Sequence, residues 1–234
     1  MMNIRDTVDL DSKDNSAAQV LGALTYDILT GYFKPGEKLL MTRLKARYNV
    51  GVGPLREALS QLLVKQLVIV ENQRGFRVHP ISKAELIDIY ETRAEIEALC
   101  VGFAIERGDD EWEANIVACA HKMKLHAALL EKEPHRWEQY HHDFHSAIAE
   151  GCRSPALLQV RDALYEKASR YRNLWLKKNM VDLSVFDANK KEHDALVDAL
   201  LSRDVTTATQ LIRKHILSPS VILQATAVIE NPFD

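Results

Sequence analysis

The sequence predicts a mainly α-helical chain in two parts: a small N-terminal unit of short helices closed by a β-ribbon, then an all-α bundle of six or seven helices. Three observations carry this. Glycine and proline number nine and seven in 234 residues, so long segments run without a helix breaker. Apolar residues recur at steps of three and four through most of the chain, the period of a half-buried helix. Short β-branched runs stand out in one place, between residues 67 and 80. The length is long for one domain and comfortable for two, and 47% hydrophobic residues suffice for a packed core.

The leader, residues 1–15, is polar, lacks the apolar core of a signal peptide, and is expected to be flexible. Val20, Leu21, Leu24, Ile28 and Leu29 then mark an amphipathic helix, with Ser16 placed to cap it. Pro35 and Gly36 turn the chain. A second helix follows, on which Leu44 and Tyr48 share a face and Thr42 is placed as a cap. Asn49 tolerates a left-handed turn. Pro54 suits the first turn of a third helix, whose predicted buried stripe is Leu55, Leu59, Leu62 and Leu63. Two short helices meeting across a tight turn are the layout of a helix-turn-helix, in which the second helix lies in the DNA major groove. The runs "LVIVEN" and "GFRVHP" flank a hairpin tip at Asn72 to Gly75, which completes a winged helix over residues 16–80.

Charge supports a nucleic-acid partner for this unit. Residues 34–80 hold nine Lys/Arg against three acids, a surplus of six, so with a net charge of -3 the remainder carries -9. A basic module joined to an acidic one suggests that the first alone meets a polyanion. Three cysteines without CxxC spacing argue against a disulfide framework and for a reducing, cytoplasmic setting. No apolar run approaches a membrane span.

The stretch "GYFKPGEKL…LKARYNVGVGPLREALSQL…LVIVENQRGFRV" resembles the DNA-binding domain of GntR-family bacterial transcription regulators. The "PG" turn, "LREAL" and "RGFRV" carry the resemblance. It implies a double-stranded DNA operator as partner, read through Arg56 and the start of the third helix. Where the family commonly has Ser and Arg, this chain has Gly51 and Val52. Val52 can pack on a thymine methyl but donates nothing to guanine. Thr42, Arg43, Lys45, Arg47, Gly53, Pro54, Arg74 and Gly75 complete the expected DNA-facing set, the basic residues as phosphate contacts. The glycines at the helix start would let its backbone approach DNA closely.

Ser82, with Glu85 three residues on, opens the second part as a capping box, and helical patterning continues to about residue 229. Leu86, Ile89, Ile96, Leu99, Cys100 and Phe103 form the stripe of its first helix; later helices are expected over 110–131, 135–151, 154–178, 184–202 and 204–229. The stretch "YHHDFH", Tyr140 to His145, then raises the question of a metal. At about 100° per residue, His141 and His145 share a face, whereas His142 and Asp143 point elsewhere. His193 and His215 lie near the apolar stripes of two later helices. Four inward histidines would be costly to bury without a partner, and a bound cation removes the cost. Nitrogen ligands suit zinc, nickel or a similar divalent transition metal.

This half is similar to the FCD ligand-binding domain of the FadR-type GntR subfamily, through Arg93 and Glu97 in "YETRAEIEALCVGFAIER", through "FHSAIAEGCRSPAL" and through "EHDALVDALLSRDVTTATQLIRKHI". The resemblance implies a domain over residues 82–229 that binds an effector and dimerises. It also implies a metal held by one aspartate and three histidines, the latter matching His145, His193 and His215, with His141 in the aspartate's place. A small carboxylate effector would take the open positions of that metal, with Arg93 as a second anchor or as an ion-pair partner of Glu97. The expected function is a homodimeric regulator, more readily a repressor. The competing reading is a metal-dependent hydrolase in which the histidines activate water. Against it, Glu192 stands beside His193 and, as its helix neighbour, is expected to diverge from it.

Overall fold

The computed structural model describes residues 17–71, 75–178 and 183–225. The leader, the Ser16 cap, Arg74 at the hairpin tip and the predicted helix end at 226–229 lie outside the described residues. The chain divides into two units between Ile81 and Ser82.

Unit one contains α1 (Ala17–Leu29), β1 (Lys38–Leu39), α2 (Met41–Tyr48), α3 (Val52–Val64), β2 (Val68–Val70) and β3 (Phe76–Val78). Val20, Leu24, Leu44, Leu55, Leu59 and Leu62 are each fully buried and hold the three helices together. Leu63, placed in the buried stripe by sequence, is instead exposed, and Ala58 is buried in that stripe. Asn49 adopts the left-handed conformation (φ 49°) that lets α2 turn sharply into α3. Thr42 is the second residue of α2 and not its cap; the capping position is Leu40, which makes no side-chain cap. The ribbon is antiparallel, with Val68 opposite Val78 and Val70 opposite Phe76. A third strand escaped the sequence reading: β1 lies on the other side of β3, in the order β1-β3-β2. Two residues have no periodicity to detect. The residues just before β1 fasten it to β3, Val78 N–H donating to Glu37 O (2.9 Å) and Gly36 N–H to Val78 O (3.1 Å).

Unit two contains, among the described residues, α4 (Lys83–Arg107), α5 (Asp110–Leu125), α6 (Leu129–Lys132), α7 (Pro134–Glu150), α8 (Pro155–Lys178), α9 (Leu183–Leu201) and α10 (Val205–Ala225). α4 is the central element, packed against α7, α8 and α10. Half of the expected capping box forms: Glu85 N–H donates to Ser82 Oγ at 3.0 Å. The Glu85 carboxylate turns instead to Arg170 and Tyr171, while Ser82 N–H donates to Tyr171 Oη at 3.2 Å. The buried face of α4 is rotated from the predicted stripe. Leu99 is exposed, and Tyr90, Arg93, Ala94 and Glu97 are buried. Counting apolar residues alone misses a face that carries an internal ion pair.

The helix expected over 110–131 is two. α5 stops at Leu125, and a turn through His126 to Ala128 leads into the single turn of α6. The break lets α7 return alongside α5, where His126 stacks on Tyr140 with ring centroids 4.2 Å apart. Without proline or glycine at 126–128, the sequence carries no breaker there.

Candidate functional site

Three helices of unit two bring four histidines to one point. His141 and His145 stand one turn apart on α7, His193 comes from α9 and His215 from α10. Their relative exposures are 1%, 2%, 3% and 6%, so the cluster is sealed from bulk water. Trp137, one turn before His141, stacks on its ring, and Phe144 meets His193 edge-on. One potential ligand atom from each histidine lies within 4.8 Å of every other. His145 Nε2 is 3.2 Å from His141 Nε2, and His193 Nε2 is 3.3 Å from His215 Nε2. Zinc–nitrogen bonds of about 2.0–2.1 Å place two bound nitrogens roughly 3–3.4 Å apart, so these separations fit a shared divalent ion.

Burial holds all four imidazoles below their usual protonation range, and the neighbouring rings add to the effect for His141, His145 and His193. A neutral imidazole keeps a lone pair for a metal; a protonated one does not. His142 and Asp143 face away, as helix geometry requires. His142 packs on the Tyr165 ring, and Asp143 accepts from Gln139 at 2.8 Å.

Around the histidines lie groups that spacing did not reveal. Glu192 is one. Its backbone neighbours His193, yet its carboxylate crosses to α10, where His215 Nδ1 donates to Oε2 at 3.1 Å. The sequence expectation that Glu192 diverges from His193 holds, but it does not leave the site. A carboxylate on the outer nitrogen orients a ligand histidine and raises its basicity. There it does not face the nitrogen centre, where a hydrolytic base would be needed. Arg172 on α8 is the other: its Nη2 reaches His141 Nδ1 at 2.9 Å and Nε2 at 3.3 Å. Glu138 lies 3.1 Å from Arg172 Nε and accepts from Tyr165 Oη at 3.1 Å.

Arg93 is buried and pairs with Glu97 at 3.2 Å, as does Arg161 at 2.9 Å. Glu97 therefore sits between two guanidinium groups, and Arg161 also meets Asp162 at 3.0 Å. Arg93 Nε and Tyr90 Oη are buried with no hydrogen-bond partner among the described residues. Arg93 is near enough to contribute to the depression of His145. Unpartnered buried donors beside a nitrogen-lined centre are suited to an anionic oxygen.

Unit one presents the other candidate surface. Gly51, Val52, Gly53 and Arg56 at the start of α3 are all exposed. Gly51 is the capping residue and supplies no side-chain hydrogen bond, so the first N–H groups of α3 face outward without a side-chain cap. A Cβ at Gly51 or Gly53 would meet nothing within 4 Å, so packing inside the unit does not demand glycine there. Thr42, Lys45 and Arg43 are exposed on α2, with Arg43 paired to Glu37. Arg47 is exposed as well, but its guanidinium is engaged: it meets Asp27 at 2.5 and 2.7 Å and lies over the Tyr32 ring at 3.6 Å. Gly75, in the wing, has φ +99°, a conformation that favours glycine.

Comparison with known proteins gives a consistent picture. Residues 16–78 match the family model "Bacterial regulatory proteins, gntR family", and residues 88–218 match "FCD domain". The chain is 46% identical to the HTH-type transcriptional repressor GlaR of Escherichia coli (strain K12), over 86% of this chain and 92% of that protein. It is 36% identical to the HTH-type transcriptional regulator BphR of Paraburkholderia xenovorans (strain LB400), over 86% and 82%. Among solved structures, E. coli McbR/YncC superimposes with a TM-score of 0.74 at 20% identity, covering 89% of this chain and 96% of that one. A GntR regulator from Rhodococcus sp. RHA1 gives 0.71 at 20% identity, covering 90% and 98%. At such identities the structural likeness bears on the fold.

Proposed function

The chain belongs to the GntR family of bacterial regulatory proteins and carries an FCD domain, and from this premise we propose that it is a metal-assisted sensor of a small organic acid that represses transcription. It is a transcription regulator and not an enzyme, in keeping with its relatives. The hydrolase alternative is not supported by any of them.

The observation that carries the sensor reading is the convergence of four buried imidazoles beside unpartnered buried donors. The histidines would hold a divalent ion such as zinc or nickel, which supplies a Lewis-acidic position for an anionic oxygen. Arg93 Nε and Tyr90 Oη then provide donors for the rest of a carboxylate ligand. Repression follows the role of GlaR, the repressor to which the chain is similar. A homodimer follows from the way helix-turn-helix readers bind paired half-sites. The effector acts by binding one arrangement of the dimer better than another, which is the only way a ligand shifts such an equilibrium.

On the DNA side, the exposed N-terminus of α3 is set to meet a phosphate through backbone N–H groups. Arg56 is its candidate base-reading side chain, and Val52 a candidate thymine-methyl contact. Arg43 and Lys45 are candidate phosphate contacts. The test is a gel shift of the purified protein on DNA from upstream of its own gene. Binding is expected, and Arg56→Ala is expected to weaken it by about 1–3 kcal/mol. Failure to retard any upstream fragment, together with metal-dependent turnover of an ester or amide, would contradict the reading.

A further inference from the structure

The start of α3 offers few side chains to a partner. Gly51 and Gly53 contribute none, and a Cβ at either would meet nothing within 4 Å, so Val52 stands alone above a bare helix end. It is 41% exposed, while Leu55, Ala58, Leu59 and Leu62 of the same helix face the core. At about 100° per residue, Val52 and Arg56 lie roughly 40° apart on one exposed side of α3, and Glu57 is turned about 100° further away. Ser60, one turn after Arg56, spends its hydroxyl hydrogen on Arg56 O at 2.9 Å. From Gly51 to Ser60, Arg56 is therefore the one side chain with donors left for a base. The arginines of α2 are engaged elsewhere, Arg43 with Glu37 and Arg47 with Asp27, whereas Arg56 enters no ion pair among the described residues.

Resting on the reading that α3 enters the major groove of an operator, we propose that Val52 and Arg56 act together as a two-point reader. Val52 selects a pyrimidine that carries a 5-methyl group, Arg56 selects a guanine, and the two bases lie within about two base-pair steps of each other. The separation follows from the helix: four residues at 1.5 Å rise set the side chains about 6 Å apart along α3, and bases stack about 3.4 Å apart. The chemistry follows from what each base displays. Thymine shows an O4 acceptor and a C5 methyl in the major groove. Val52 has no donor for the first and an apolar surface for the second, so the methyl is the group it distinguishes. Guanine shows N7 and O6 acceptors, which a guanidinium meets with two N–H donors. Val52 is thus a specificity-determining residue that works by burial alone, and shielding one methyl from water is worth about fourfold in affinity per half-site.

The test titrates the full-length protein in gel shifts against one DNA fragment from upstream of its own gene, made once with thymine and once with uracil throughout. The two bases differ only in the C5 methyl. The wild type is expected to bind the uracil form about four- to fifteenfold more weakly, for one or two half-sites. Val52→Ser removes the apolar surface at an exposed helix start that serine suits, and is expected to bind the two forms alike. A wild type indifferent to uracil, or a Val52→Ser protein that discriminates as strongly as the wild type, overturns the inference and leaves DNA binding standing. Failure to retard either form overturns the DNA-binding reading with it. With 7-deazaguanine in place of guanine, the wild type is expected to lose affinity and Arg56→Ala to be indifferent; equal losses overturn the guanine half. Replacements one base at a time should put the two sensitive bases within about two steps, and a wider separation overturns their pairing on one helix face.

Discussion

At the scale of single residues, the site depends on what stands behind each imidazole. Glu192 is half-buried and bonded to His215, and that bond together with Lys214 holds its carboxyl below the usual range. Glu192→Gln keeps the size but weakens the acceptor that fixes the His215 tautomer. Zinc affinity is expected to fall by about 10–100-fold, read by chelator competition, with the fold unchanged by circular dichroism. Unaltered affinity would mean that Glu192 does not support the ligand. The histidines themselves were legible from sequence: an i, i+4 pair on one helix, then two more on later apolar stripes. Glu192 and Arg172 were not. Glu192 is adjacent to His193 in sequence but serves a histidine 23 residues further on, through a crossing of α9 and α10 that no spacing encodes. Arg172 reaches His141 from α8, 31 residues away, and nothing in the local run "SRYRN" signals that its arginines will be buried.

At the scale of elements, the joins between helices are as specific as the helices. Gly108 ends α4 with φ -68°, so its backbone would accept any residue, yet a Cβ there would overlap the Trp112 ring. Gly151, at the end of α7, abuts the same indole from the other side. Trp112 Nε1–H donates to Ile148 O at 3.1 Å, so one ring ties two helix ends together. Gly108→Ala should destabilise the protein by about 1–3 kcal/mol in chemical denaturation, as overpacking does. Gly22→Ala, on the exposed side of α1 where nothing lies within 4 Å, should instead stabilise by about 0.4–1 kcal/mol. Equal effects of one sign would show that the two environments are not distinguished as described. A helix start expected at residue 110 does not say why the glycine before it is needed, because the reason is a ring that arrives from the next helix. The split between α5 and α6 was equally hidden, since tertiary return of α7 imposes it without a breaker residue. β1 was hidden because two residues cannot display a period.

At the scale of the whole molecule, charge and chemistry are divided between two units. The basic surplus lies in the helix-turn-helix unit, which presents the uncapped N-terminus of α3. The acidic remainder contains the histidines. Fold class and family were legible early, because amphipathic periodicity and the "LREAL" and "RGFRV" motifs are local. The metal reading instead needs four side chains from three helices to meet, and the 3.2–3.3 Å nitrogen separations are what give it physical content. The most direct test is therefore metal analysis of the full-length protein as purified, alongside His193→Ala. The account predicts about one divalent transition-metal ion per chain in the wild type, and its loss through purification in the variant, since His193 is one of the imidazoles that converge on the centre. A wild-type protein free of metal that also refuses added zinc or nickel, or a variant with unchanged metal content, would contradict it.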